Sequence, residues 1–92
     1  MKFTLNHARS ITGNDISVHV EADKGNAIRR VRTVLDGFEL ADDPLDAESD
    51  SYERTFSNAG TAGPGNEHRL LVSAEQSDNK THSATSIWVD SV

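Results

Sequence analysis

The sequence predicts an all-β sandwich of about seven short strands. Three observations support this fold class. Apolar and polar residues alternate with the two-residue period of half-buried strands, turn residues recur at short intervals, and no segment shows the period of an amphipathic helix. A chain of 92 residues is expected to form one domain, residues 1–92, with a single core of modest size.

The first third of the chain alternates strand and turn patterns. Phe3 and Leu5 alternate with polar residues and predict a short first strand. Residues 10–15 have the composition of a turn. From residue 16 to residue 22, apolar side chains again occupy every second position, which predicts a half-buried second strand. A turn at residues 23–26 follows it.

The third strand, residues 27–35, leads into the strongest hairpin signal of the chain. Asp36-Gly37 suits a type I′ turn, which requires a positive φ at both central residues. A two-residue loop here keeps the apolar residues of both strands on one face, so the register agrees with the pattern. The predicted cross-strand pairs are Leu35 with Phe38 and Thr33 with Leu40.

Residues 41–50 are predicted to form an acidic connector. Asp46, Glu48 and Asp50 alternate like the first ligands of a calcium-binding loop. The glycine expected after them is missing, and Ser57 stands where the bidentate glutamate belongs. A solvated acidic loop is therefore the preferred interpretation, and a loose calcium site is the alternative.

The second half of the chain predicts two strands and a further hairpin around a long glycine-rich loop. Residues 52–56 form one strand, and residues 57–66 form the loop. The next strand begins at His68, and Asp78-Asn79 marks another tight turn. As a two-residue loop, this turn predicts the pairs Val72 with Thr85, Leu70 with Ile87, and His68 with Val89.

The order of these motifs resembles bacterial immunoglobulin-like (Big-type) modules over most of residues 28–89. The matching motifs are Val31-x-x-Val34-Leu35-Asp36-Gly37, Tyr52-x-x-Thr55-Phe56, Gly63-x-Gly65, His68-x-Leu70-x-Val72-x-Ala74 and Asp78-Asn79. Phe56 departs from the tryptophan that such modules prefer, and Asn79 replaces a turn glycine. The resemblance implies an immunoglobulin-like β-sandwich that acts as a spacer or binding domain, without catalytic residues, and a loop-closing role for His68.

The composition argues against several kinds of site and function. The chain has no cysteine, which excludes disulfides and thiolate metal sites, and its net charge of -6 argues against general nucleic-acid binding. Residues 1–7 contain no apolar signal-peptide core, and no apolar run approaches a membrane span. The compartment therefore stays unknown from the sequence. It would be extracellular if the chain belongs to a longer exported protein.

No constellation of residues predicts catalysis, a metal or a cofactor. The four histidines, His7, His19, His68 and His82, lack the spacing of a metal motif. The glycines of residues 57–66 are not followed by the Lys-Ser/Thr of a phosphate loop, and no strained nucleophile turn is present. The sequence thus predicts a protein that is not an enzyme.

A surface patch is the best functional signal. In an immunoglobulin-like sandwich the third, sixth and seventh strands, termed C, F and G, lie side by side. The predicted registers send an Arg- and Trp-rich set outward, with Arg69 opposite Trp88 as a cation–π pair. The candidate partner-binding residues are Arg30, Arg32, Arg69, Leu71 and Trp88. The alternative is that arginine stems simply cover a surface tryptophan.

Two functions follow from these expectations. The first is a non-enzymatic interaction or structural module of a bacterial surface, secretion or phage assembly. It would bind a protein or glycan through the C-F-G face or its loops. The second is a stand-alone inhibitor or immunity protein, because a small acidic chain suits the masking of a basic partner enzyme. A neighbouring toxin or protease gene would favour the inhibitor, and tandem repeats in a longer chain would favour the module.

Overall fold

The computed structural model describes residues 1–9, 13–60, 63 and 65–90, without the side chains of Asp46 and Glu48. This part of the chain forms a sandwich of two antiparallel sheets with the strand orders β1-β2-β5 and β4-β3-β6-β7. The strands are β1 (Lys2–Arg9), β2 (Asn14–Glu21), β3 (Ile28–Leu35), β4 (Phe38–Ser49), β5 (Ser51–Ala59), β6 (Glu67–Gln76) and β7 (Thr81–Val89). The predicted all-β, immunoglobulin-like sandwich with seven strands is confirmed.

The core lies between the central strands of the two sheets. β2, β3 and β6 each have a hydrogen-bonded neighbour on both sides and place an apolar face against the opposite sheet. Burial of each valine, leucine or isoleucine side chain stabilises the fold by about 1.5–3 kcal/mol as an upper bound. The fully buried apolar residues are Ile16, Val18, Val20, Ile28, Val31, Leu35, Leu70, Val72 and Ala74.

The β3–β4 hairpin has the predicted turn, but beyond the turn the pairing of the two strands is shifted by one residue. Asp36 and Gly37 have φ values of 53° and 84°, as a type I′ turn requires, and Leu35 pairs with Phe38. A β-bulge then inserts one residue, so that Thr33 pairs with Ala41 and the predicted pairing of Thr33 with Leu40 is wrong. Phe38, expected on the inner face, is 77% exposed because it begins an edge strand.

Residues 41–49 belong to β4, so the predicted acidic connector is wrong. The acidic residues are compatible with a strand because Asp42 lies opposite Arg32 and accepts a hydrogen bond of 2.6 Å from Arg30 Nε. Pro44 lies opposite Arg30 in an edge strand, where a missing N–H is tolerated. Charge and proline here protect a sheet edge.

The β6–β7 hairpin differs from the prediction by one residue. Gln76 donates its N–H to the Lys80 carbonyl at 3.1 Å, which leaves a three-residue loop, residues 77–79. Asn79 completes this loop with a φ of 67°. Since a one-residue slip reverses every side chain of a strand, β7 presents the opposite face to the core. The observed pairs are Leu70 with Ser86, Arg69 with Ile87 and His68 with Trp88.

The first and last described residues lie at opposite ends of the sandwich. The Met1 amino group forms an ion pair with Asp23, in the loop between β2 and β3. Asp90 instead follows β7 at the end that holds the β3–β4 turn, and it lies beside His68. Both ends of the described chain are therefore bonded into the fold.

Candidate functional site

Most of the predicted site residues lie on the outer face of β3, β6 and β7. Arg30, Arg32, Arg69 and Leu71 are exposed there, as expected. The predicted outward position of Trp88 and its pairing with Arg69 are wrong, because the three-residue loop turns this side chain toward the core. Ile87, which is 54% exposed, lies opposite Arg69 instead.

The two arginines of β3 are paired with the acidic residues of β4. Arg30 binds Asp42 through two nitrogens, and the Nε of Arg32 lies 2.7 Å from the Glu39 carboxylate. The hydrogen bond from Arg30 lowers the pKa of Asp42. Exposed pairs of this kind add little stability. They neutralise this half of the face, so it does not present a free basic patch.

The other half of the outer face carries four aliphatic side chains, with Glu67 opposite one of them, Val89. Val34 pairs with Leu71 across β3 and β6, and Ile87 and Val89 follow on β7 with exposed fractions of 54% and 59%. Arg69 lies among these four side chains, opposite Ile87. We refer to Val34, Leu71, Ile87 and Val89 as the apolar strip. Its β7 half was not predicted, because Ile87 and Val89 point outward only when Ser77-Asp78-Asn79 forms a three-residue loop.

Trp88 closes the seam between the two sheets on the β1–β7 side. Its ring stacks on His7 of β1, with the ring centroids 4.1 Å apart and an interplanar angle of 8°. It also packs against the core, and the ring of His68 lies 5.4 Å away. Since His7 covers one face of the indole, Trp88 serves packing between the sheets and does not offer an open stacking platform.

Asp43 closes the opposite seam, between β4 and β5. Tyr52 donates its O–H to Asp43 Oδ2 at 2.5 Å, and Arg54 Nη1 lies 2.6 and 2.8 Å from the two carboxylate oxygens. These bonds lower the pKa of Asp43, that of Tyr52 first. The Arg54 guanidinium also lies 4.9 Å from the centroid of the Phe56 ring. One hydrogen-bonded carboxylate thus joins the edge strands of the two sheets.

The single tyrosine allows this seam to be tested by titration. Burial, followed by the hydrogen bond to Asp43, raises the pKa of Tyr52 well above its ordinary value of 10.0. In an absorbance titration of tyrosinate, we expect the midpoint of the folded protein to lie above pH 10.0. Asp43→Ala should lower that midpoint, whereas Asp42→Ala should not move it. A wild-type midpoint at the ordinary value, with circular dichroism still native, would contradict the seam.

His68 forms a buried clamp with two carboxylates. It is 1% exposed, its Nδ1 lies 2.7 Å from Asp36 Oδ2, and its Nε2 lies 3.0 Å from Asp90 Oδ2. Because carboxylates only accept, both bonds form when the imidazole carries both protons. Burial acts to lower the pKa of His68, but the hydrogen bonds with Asp36 and Asp90 outweigh it and raise that pKa.

The clamp joins segments that are distant in sequence. Asp36 lies in the β3–β4 turn and also accepts the Arg69 N–H at 2.8 Å. Asp90 follows β7 and accepts the Gly63 N–H at 3.2 Å, and the hydrogen bond from His68 lowers its pKa. Gly63 is thereby fastened to the end of the sandwich, and residues 57–59 of the predicted loop belong to β5. We refer to Asp36, His68 and Asp90 as the His68 clamp, and its geometry is that of a structural element.

Metal binding finds no support in the described part of the chain. Across residues 1–9, 13–60, 63 and 65–90, the His, Asp and Glu side chains form no group of three that could hold an ion. The side chains of Asp46 and Glu48, which the calcium alternative requires, lie outside the described residues. Over the same ranges, no helix is long and apolar enough to cross a bilayer.

Comparison with known proteins agrees with the fold. No protein-family model and no curated protein matches the chain. Among solved structures, the chain is similar to the fibronectin(III)-like modules of CbhA from Clostridium thermocellum, with a TM-score of 0.55 and 21% identity. The match covers 98% of this chain and 97% of that chain.

This likeness shows the immunoglobulin-like sandwich fold and does not single out Big-type modules, so that finer assignment stays a prediction. The strand order differs from that of constant-type immunoglobulin domains in the position of the fourth strand. In constant-type immunoglobulin domains the fourth strand joins the sheet of the first, second and fifth strands. Here β4 pairs with β3 instead.

Proposed function

We propose that this protein is a non-enzymatic interaction module that binds a protein partner through the apolar strip and Arg69. The single observation that carries the proposal is the exposure of adjacent aliphatic side chains on an ordered sheet face. Ile87 and Val89 are both more than half exposed on the same face of β7, and Ile87 lies diagonally across from Leu71. Contiguous exposed apolar surface on a small soluble domain is typical of interaction sites.

Arg69 adds a polar anchor to this surface. It lies one strand away from Ile87 and in register with it. Arginine is enriched at binding hot spots because its stem packs on apolar surface while its head forms directed hydrogen bonds. Arg30 and Arg32 belong to the rim, since Asp42 and Glu39 already bind them.

A protein partner is favoured over a glycan. Sugar rings commonly dock on an open aromatic face, but His7 stacks on the ring of Trp88 in the seam. The apolar strip itself is aliphatic. We place the module within a bacterial surface, secretion or phage assembly, and the similarity to the fibronectin(III)-like modules of CbhA supports its sandwich fold.

The proposal predicts that capture of a partner depends on the strip. The tagged wild-type protein, a Leu71→Ser/Ile87→Ser variant and a Phe38→Ser control would be incubated with extract of the source cell. Phe38 is a matched control because it is exposed, apolar and outside the strip. We expect one protein to be retained by the wild type and the control, and to be lost at least tenfold with the double variant.

Other outcomes would overturn the proposal. Equal retention by all three proteins would place the site elsewhere, and retention of a polysaccharide alone would exclude a protein partner. An extract from which the wild type captures nothing would remove the proposed function. Circular dichroism of the double variant checks that its sheets remain native.

A further inference from the structure

β7 is an unprotected sheet edge. It runs for nine residues, Thr81–Val89, without a charged residue or a proline, and it ends the sheet order β4-β3-β6-β7. The other three edge strands carry the charges that usually prevent edge pairing. They include Lys2 and Arg9 in β1, Glu39, Asp42 and Asp43 in β4, and Glu53 and Arg54 in β5.

The hydrogen bonds at both ends of β7 show which backbone groups face the open edge. Lys80 accepts from Gln76, and Asp90 donates to Asn66, so residues with even numbers point toward β6. In an antiparallel ladder the alternate residues point the other way. Five residues therefore direct their N–H and C=O groups outward from the sheet. They are Thr81, Ser83, Thr85, Ile87 and Val89.

We propose that a second copy of this chain pairs with β7 in antiparallel orientation, with Thr85 opposite the partner copy's Thr85. In this register all five outward-directed residues find a counterpart, because Thr81 meets Val89 and Ser83 meets Ile87. The five N–H groups of each copy would form about ten backbone hydrogen bonds in total, the number typical of a stable interface.

A second copy meets no like charge at this edge. Each chain carries a net charge of -6, so most encounters between copies are repulsive. The neutral edge brings no like charges together, since the β7 residues that meet are Thr, Ser, Ile and Val. A Thr–Thr pair at the symmetry axis is among the favourable cross-strand pairs.

Edge pairing also extends the outer face. A symmetry axis perpendicular to the sheet keeps the outer faces of both copies on the same side. The row formed by Val34, Leu71 and Thr85 then continues into the same row of the partner copy. The inference goes beyond the proposed function, and the apolar strip stays open in the dimer.

Sedimentation equilibrium on the pure protein tests the dimer. At concentrations up to roughly 1 mM, a range that detects weak dimers, we expect the mass to approach twice the monomer value of 10.0 kDa. Thr85→Lys should yield a monomer because it places two positive charges opposite each other. Thr55→Lys, at an exposed threonine of the edge strand β5, should leave the dimer unchanged.

Cross-linking tests the register. The chain has no native cysteine, and residues opposite each other in a hydrogen-bonded antiparallel pair have Cα atoms about 5.5 Å apart, within disulfide range. Thr85→Cys should therefore form a covalent dimer under oxidising conditions, whereas Thr81→Cys should not.

Three results would overturn the inference. The first is a wild type that stays monomeric over the whole concentration range. This includes the case in which the β7 edge of the wild type binds a foreign protein and the Thr85→Lys variant does not. The second is a dimer that persists in Thr85→Lys. The third is a covalent dimer with Thr81→Cys and none with Thr85→Cys. Because these measurements use pure protein, they can fail while partner capture through the apolar strip succeeds, and the reverse also holds.

Discussion

Replacement of His68 with alanine is expected to destabilise the fold by about 3–5 kcal/mol. The imidazole is 1% exposed and bonded to two carboxylates, so its removal leaves a cavity and takes the hydrogen-bond partner from a buried Asp90. A loss of this size is a large part of the total stability of a small domain. Urea unfolding followed by circular dichroism measures it.

The matched control for this experiment is His19→Ala. His19 is a half-buried histidine whose ring lies 3.3 Å from the exposed Glu21 carboxylate. A change of less than about 1 kcal/mol is expected there, because a contact with an exposed carboxylate contributes little. If the two alanine variants lost similar stability, the His68 clamp would not be a principal support of the fold.

The clamp also gives the stability a defined pH dependence. The pKa of His68 is raised above 6.5, so its stabilising contribution is complete below that pH and is lost as the pH rises through the folded-state pKa. The pKa of Asp90 is lowered from 3.8, so its contribution is present above that pH and is lost as the pH falls through the folded-state pKa. The clamp therefore contributes most between these two ordinary values.

The difference between the wild type and His68→Gln isolates the histidine part of this dependence. The free energy of unfolding of the wild type should fall relative to the variant as the pH rises above 6.5. A difference that stays constant from acidic to alkaline pH would contradict a doubly protonated His68 between its carboxylates.

Leu70→Ala and Leu71→Ala should differ sharply, although the two leucines are adjacent. Leu70 is 1% exposed and packs in the core, so its truncation is expected to cost about 3 kcal/mol through lost burial and a residual cavity. Leu71 lies on the outer face with 36% exposure, and its truncation should cost less than about 1 kcal/mol. Equal losses in urea unfolding would show that the two faces of β6 are assigned wrongly.

The sequence correctly predicted the turns and strands that are determined by residues close together in the chain. The Asp36-Gly37 turn was predicted because these residue types suit the two positive φ values that the structure shows. The inward face of β2 was predicted from the strict alternation of its apolar residues. Residues 41–49 of β4 were missed because the acidic residues and Pro44 have the composition of a loop. In the fold they suit an edge strand whose charges pair with Arg30 and Arg32.

The candidate site was only half predictable because its β7 portion depends on the length of one loop. Two-residue and three-residue loops at residues 77–80 send opposite faces of β7 inward, and the aliphatic Ile87 and Val89 favour the wrong choice. Tertiary packing decides, since the large indole of Trp88 fills the seam against His7 and the core. The β3 and β6 residues were placed correctly on the outer face because their alternation is not affected by that loop.

The positions of Met1 and Asp90 at opposite ends of the sandwich have a mechanical consequence. Tension applied to these two residues would run lengthwise along β1 and β7, which lie in different sheets. Each strand would then be loaded in shear, so that its ladder hydrogen bonds to β2 or β6 resist together and do not open one after another. A domain loaded in this way transmits force along its long axis with little extension before it yields.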